Sequence, residues 1–415
     1  MKRRAAVQHR RATAIVAGWA LVLTAVATVL APTVQAANIR QSEWYLDVMQ
    51  APKMWQVSTG KGITVAVIDS GVDASAPELQ GQVLPGHDFV TGSGDGQQDP
   101  DGHGTAISMI IAGSGNAGGV MGLAPDAKVL PLRVGVSSGA AGEVAVQEFS
   151  EAIRFAVDHQ AKVINISAGF PEVVPDPHLL TPLEAAVQYA ENRGSLIFAA
   201  TGNRGSEGNY REYPAAASGV AGIAAVDETG TWLKFSTHGP QVALAAPGKD
   251  ITARCSKEHG YDGGYCTGDG TSQATAIASA SAALIWAKHP DWTGNQVLRV
   301  LLNTASKPAS GPVPNEFVGY GVVRPRIALL GDPGDLGPPN VNPLLAAKTA
   351  QSASASAAQP SPSAARGSGN GNPSAESQET LYWVGIGIGV VLVVGGAVAS
   401  LVVYRRRRAS SYGRG

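Results

Sequence analysis

The chain has 415 residues, room for one large domain or two ordinary ones, and its 44% hydrophobic content supports a packed core. A formal net charge of -1 supplies no broad positive field, which argues against nucleic acid as a partner. Two cysteines, Cys255 and Cys266, are too few to build a disulfide-held scaffold.

Lys2, Arg3 and Arg4 precede an apolar run from Ala14 to Ala31 and a Val34-Gln35-Ala36 small-residue site. Basic head, apolar middle and small-residue site predict a secretory signal over residues 1–36. An uncleaved anchor helix is the alternative, because the run is close to the minimum length of a span. Ile63 to Ile68 is a β-branched run that predicts a strand ending at Asp69. A helix is expected from His103 through Ile111, and a strand over Val129 to Val134. Glu143 to His159 places Val146, Phe149, Ile153, Ala156 and Val157 on one helical stripe. Val163 to Ser167 reads as a short buried strand. Thr181-Pro182 reads as N-cap and first-turn proline of a helix that Gly194 ends. Strands follow at Ser195 to Thr201 and Val220 to Val226, then an Ala-rich helix from Ser272 to Lys288 and a last one capped by Thr293. Alternating apolar strands and amphipathic helices predict an α/β fold: a mostly parallel central sheet with helices on both faces.

The folded unit is expected over residues 37–330. Residues 331–380 turn to Pro, Ser, Ala and Gly without periodicity, the composition of a disordered stalk. Leu381 to Tyr404 is an uncharged apolar run long enough to span a bilayer, and Arg405 to Arg408 follow it. The arginines place the 405–415 tail on the cytoplasmic side and the folded unit outside the cell membrane.

Sites in parallel sheets form at the carboxyl ends of strands, where Asp69 and Asn203 both fall. AVIDSGVD (Ala66 to Asp73), DGHGT (Asp101 to Thr105) and GTSQA (Gly270 to Ala274), in that order, resemble the three signature segments of subtilisin-like serine proteases. GLAPDAKVLPLRV (Gly122 to Val134) and AATGN (Ala199 to Asn203) are similar to two further segments of the same family. The resemblance implies a Ser272 nucleophile, a His103 general base and an Asp69 that orients it, with no cofactor. It implies Asn203 as an oxyanion donor beside the Ser272 N–H, and Ser167, Ala168 and Gly169 as the strand a peptide substrate adds to.

Asp99, Asp101 and Gly102 suggest a calcium loop, but Gln97 and Ser108 occupy its opening and closing positions, so no metal is expected. Cys255 and Cys266, in an oxidising compartment, are expected to pair as a disulfide rather than remain free thiols. Three residues depart from the family pattern: Ala276 where a proline is usual, Gln273, and Thr201. Glu43 to Gly62 resembles the lead-in of the mycosins, membrane-anchored subtilisin-like proteases associated with type VII secretion in actinobacteria. The expected function is therefore endopeptidase cleavage of exported proteins at the outer membrane face, with a type VII secretion membrane complex as partner. The alternative is a structural component that stabilises such a complex, with catalysis dispensable.

Overall fold

The computed structural model describes residues 39–135, 142–172, 177–255, 264–347 and 349. The expected signal peptide, the 381–404 span and the basic tail lie outside the described residues. Among the described residues, no helix is long and apolar enough to cross a membrane.

Strands β1 (Thr64–Asp69), β2 (His87–Asp88), β3 (Lys128–Arg133) and β4 (Val163–Ile166) belong to the first half of the sheet. After a short β5 (Phe170–Pro171) come β6 (Leu196–Ala200), a short β7 (Glu212–Tyr213), β8 (Ala221–Val226) and β9 (Val242–Pro247). Seven of these form one sheet in the order β2-β3-β1-β4-β6-β8-β9. Every pairing in it is parallel. β5 and β7 form a separate antiparallel pair, and β10 (Ile251–Arg254) pairs antiparallel with β11 (Tyr265–Gly268). The Ala-rich β9 has weak β propensity, and the small strands, two to four residues long, are too short to show a period; none of them is expected from the sequence.

β1 shows why both faces must be covered. Val65 and Val67 point into one core, while Ala66 and Ile68 point into the other, following the two-residue period of a strand. Helix α3 (His103–Ala112) lies on the first face; α4 (Glu143–Asp158) and α5 (Thr181–Asn192) lie on the second. The chain runs from β1 to the edge strand β2, comes back through α3 to β3, and then passes β1 through α4 to reach β4. The two helical connections run in the same direction across the sheet yet α3 and α4 lie on opposite faces, so one of the two crossovers departs from the usual right hand; β1, with β3 on one side and β4 on the other, is the switch point of the sheet.

Helix α6 (Thr271–Lys288) packs on the first face against β4, β6, β8 and β9. All but one of its residues from Thr271 to Trp286 are buried, which suits a helix surrounded by protein. Alanine and serine dominate it because neighbours approach from every side. Two of its hydroxyls are satisfied within the helix: Ser281 donates to the Ile277 carbonyl and Thr275 to the Thr271 carbonyl, both at 2.7 Å. Ala276, in place of the usual proline, is fully buried in an unbroken helix.

Thr181 is not a cap. A 3-10 turn, Pro177–Leu180, runs directly into α5, so Leu180 takes the capping position without a side-chain bond. Thr293 does cap α7 (Gly294–Thr304), in a capping box with Gln296. The lead-in forms two short helices, α1 (Trp44–Val48) and α2 (Ala51–Met54), whose Tyr45, Leu46 and Met54 are fully buried. It is pinned by Trp55 Nε1 donating to the Leu123 carbonyl at 2.9 Å and Ser58 Oγ donating to the Leu284 carbonyl at 2.6 Å. After α8 (Pro325–Leu330), the chain stays on the domain: Leu336 and Leu344 pack against the core, and Asn342 donates to the Gly219 carbonyl at 3.2 Å. The expected stalk boundary at Gly331 thus falls within packed chain.

Candidate active site

β1 ends at Asp69, which bonds His103 at the start of α3, and Ser272, the second residue of α6, bonds Ser167 just past the end of the neighbouring strand β4. Asp69 is fully buried. Its Oδ1 accepts hydrogen bonds from His103 Nδ1 and from the Ser70 N–H, each at 2.7 Å. A carboxylate can only accept, so this contact fixes the imidazole proton on Nδ1 and leaves Nε2 able to take one. Burial lowers the His103 pKa, but the charge and hydrogen bond of Asp69, with Asp101 and Asp99 behind it, outweigh this and push it up to about 9.

Asp99 builds the corner that holds this pair. Its Oδ1 accepts from Ser70 Oγ and the Gly102 N–H at 2.8 Å, and its Oδ2 from the Thr105 N–H at 2.8 Å and Thr105 Oγ1 at 2.6 Å. Ser70 Oγ in turn accepts from the Gly104 N–H at 2.9 Å. The residue after Asp69 is thereby tied to the one after His103. The carboxylate that suggested a calcium loop is occupied with the first turn of α3. Gly104 is required here: a Cβ would collide with the Gly71 carbonyl and lie 3.1 Å from Asp69 Cβ.

Ser272 Oγ donates to the Ser167 carbonyl at 3.0 Å, and Ser167 Oγ donates back to the Ser272 carbonyl at 3.1 Å. Among the described residues no hydrogen bond joins the Ser272 hydroxyl to His103. Behind this pair, Asn165 Nδ2 donates to Ser167 Oγ at 3.0 Å and Ser279 Oγ donates to Asn165 Oδ1 at 2.9 Å. β4 is thus stitched to α6 by a buried polar chain. Ala168 is half-buried and Gly169 exposed, so this segment opens toward solvent as it leaves Ser167.

Asn203 follows β6 and is exposed. Its Oδ1 accepts from the Thr271 N–H at 2.9 Å and from Thr271 Oγ1 at 3.0 Å. Both donors hold the oxygen, so the Nδ2 group is the free end. Thr271 Oγ1 also accepts from the Gly202 N–H at 3.2 Å. The Ser272 N–H is among the first helical N–H groups of α6, which lack intrahelical partners and favour negative charge. Of the residues that depart from the family pattern, Thr201 is satisfied by the Ile223 carbonyl at 3.2 Å, whereas Gln273 Oε1 is buried without a partner.

Sequence reasoning did not single out Ser70, Asp99, Asn165, Thr271 or Ser279 for these positions. A readable signal existed for Asp99, an acidic residue just ahead of a helix start. Cys255 and Cys266 form a disulfide with a Cα separation of 5.0 Å, closing the end of the β10–β11 hairpin. Among the described residues no group of three or more His, Cys, Asp or Glu is arranged to hold a metal.

Residues 60–321 match the subtilase family. The thermostable alkaline protease of Halalkalibacterium halodurans is 35% identical over 248 residues, covering 60% of this chain and 63% of its own length. Thermitase of Thermoactinomyces vulgaris is 34% identical over 260 residues, covering 62% of this chain and 86% of thermitase. Among solved structures, the MycP3 protease from the type VII (ESX-3) secretion system aligns with a TM-score of 0.59 and 33% identity, covering 69% of this chain and 87% of that one. MycP1 from Mycobacterium smegmatis aligns with a TM-score of 0.61 and 29% identity, covering 72% and 86%. With a matched segment spanning the strand, the two helix starts and the Asn203 loop, the chain belongs to the subtilase family.

Proposed function

We propose that this chain is a serine endopeptidase using Asp69, His103 and Ser272. The carrying observation is the 2.7 Å contact of His103 Nδ1 with buried Asp69; a serine at the N-terminus of α6, bonded to Ser167 just past the neighbouring strand β4, supports the reading. His103 Nε2 takes the Ser272 proton as Oγ attacks the substrate carbonyl, and returns it to the leaving amine. A water then repeats the sequence to release the acyl group. Asn203 Nδ2 and the Ser272 N–H stabilise the oxyanion, while Ser167, Ala168 and Gly169 bind the substrate as an added strand. The resting Ser272–Ser167 bond breaks when the hydroxyl turns to His103; such bonds tighten only in the substrate complex.

The full-length chain, purified in mild detergent, is to be treated with a fluorophosphonate probe beside Ser272→Ala. Labelling of the parent alone supports the reading; no labelling of a folded parent refutes it.

The proposed setting is the outer face of the cell membrane, anchored through residues 381–404 and acting on exported proteins. The expected signal, stalk and span support this, as do the type VII secretion systems named for MycP3 and MycP1. One such neighbour is described as an essential component of its secretion system, which favours an added structural role. Secretion that survives Ser272→Ala but not loss of the whole chain would establish that role.

A further inference from the structure

Glu212 opens β7 and pairs in register with Pro171 of β5, just after the Ser167–Gly169 segment. Its side chain is 15% exposed, and its one charged partner among the described residues is Arg204, with Nε 3.9 Å from Oε1. That distance is an ion pair without a hydrogen bond, and the Arg204 side chain is half exposed. Two glycines border this carboxylate. A Cβ on Gly202 would collide with the Glu212 carboxylate, and one on Gly169 would lie 3.5 Å from its Oε2. Gly202 precedes Asn203, and Gly169 is two residues beyond the carbonyl that holds Ser272 Oγ.

We infer that Glu212 is the floor of the pocket for the substrate residue on the acyl side of the scissile bond, and that it selects lysine or arginine there. This rests on the peptidase reading. A carbonyl carbon at Ser272 Oγ, with its oxygen toward Asn203 Nδ2, lies between segments 167–169 and 201–203. The side chain on that carbonyl meets bare backbone at Gly169 and Gly202, then the carboxylate. A long neutral side chain would further desolvate a charge that has no hydrogen-bond donor among the described residues, whereas a cation supplies its partner. Burial already raises the Glu212 pKa and Arg204 only partly opposes it, as expected of an under-solvated carboxylate. The exposed Arg204 is free to withdraw as the substrate cation enters.

The test measures kcat/KM for the full-length chain in detergent on peptides identical except for Lys, Arg, norleucine or Phe at that position. Lys and Arg are expected to exceed norleucine by at least about tenfold. In Glu212→Gln this ratio falls toward one, chiefly through KM, and in Glu212→Asp its direction is kept. Cleavage without cation preference, or a preference that survives in Glu212→Gln, overturns the assignment and leaves the peptidase reading intact. Should Glu212→Gln fail to fold, the parent's ratio decides alone. No cleavage of any peptide, with no fluorophosphonate labelling of the parent, overturns both readings together.

Discussion

Thr271 grips Asn203 twice, its N–H and its hydroxyl both donating to Asn203 Oδ1 at 2.9 and 3.0 Å. The residue before Ser272 thus sets which end of the amide is held and which is turned away from Thr271. Asn203→Ala removes the donor, and kcat is expected to fall about 10²–10³-fold, the scale known for the same loss in subtilisin. Thr271→Val keeps the N–H but removes the hydroxyl, which also supports the Gly202 N–H. Its expected effect is about tenfold in kcat with KM little changed. Combining the two substitutions should cost barely more than Asn203→Ala alone, because in the proposed mechanism Thr271 acts only through Asn203.

His103 must be neutral to accept a proton, and its surroundings hold its pKa at about 9. Below that value the imidazolium dominates, so kcat/KM is expected to rise with pH and level off only above about pH 9. Asp101 contributes to the elevation from outside the Asp69 contact. Asp101→Asn removes a negative charge that favours the protonated ring, so the midpoint of the profile moves to lower pH, by about half a unit at low salt. The difference between parent and variant shrinks in 1 M salt, where the Debye length is about 3 Å.

Glu78 is fully buried, and Tyr265 of β11 donates a hydrogen bond to its Oε1. Arg254 Nη2 lies 3.9 Å from the other oxygen, Oε2, which accepts no hydrogen bond. Tyr265→Phe removes the hydroxyl and strands a buried carboxylate. A loss of about 1–3 kcal/mol in unfolding free energy is expected by denaturant titration. The double variant Tyr265→Phe with Glu78→Gln should recover part of it, because the neutral amide is less costly to leave unpaired.

The segments around Asp69, His103 and Ser272 were legible from local pattern: Asp69 ends a β-branched run, His103 starts a helix between Gly102 and Gly104, and Ser272 lies at a helix start just after Gly270. The buried face of α4 was legible from Val146, Phe149 and Ile153 at helical spacing. Asp99 was legible only in part: its place ahead of a helix start signals its bonds to Gly102 and Thr105, but its bond to Ser70, 29 residues away, is announced by nothing in its immediate neighbours. Glu212 was hidden for the same reason, since its relation to Gly169 and Gly202 exists only once β5 and β7 pair. Asn165 and Ser279 are 114 residues apart, and each alone reads as an ordinary polar residue. What was lost was the set of long-range polar contacts, which local patterns do not encode; the α/β layering, encoded by local periodicity, was retained.

Glu43 ties the lead-in to the domain and makes that attachment sensitive to pH. It is fully buried, its Oε1 accepts from the Met121 N–H at 2.6 Å, and its Oε2 has no partner. Burial raises its pKa from 4.5 to about 7, opposed by the Met121 hydrogen bond and by Arg40 and reinforced by Asp47. The folded state therefore binds a proton that the unfolded chain releases near pH 4.5. For this group the stabilising proton is fully present at low pH, and stability declines as pH rises from 4.5 to about 7. The span corresponds to about 3 kcal/mol at one group. Glu43→Gln carries a permanent neutral mimic, so unfolding free energy measured at pH 8 should rise relative to the parent, while at pH 4.5 the two should agree. An advantage of equal size at both pH values would assign the effect to packing, and ionisation of Glu43 would then play no part in holding the lead-in.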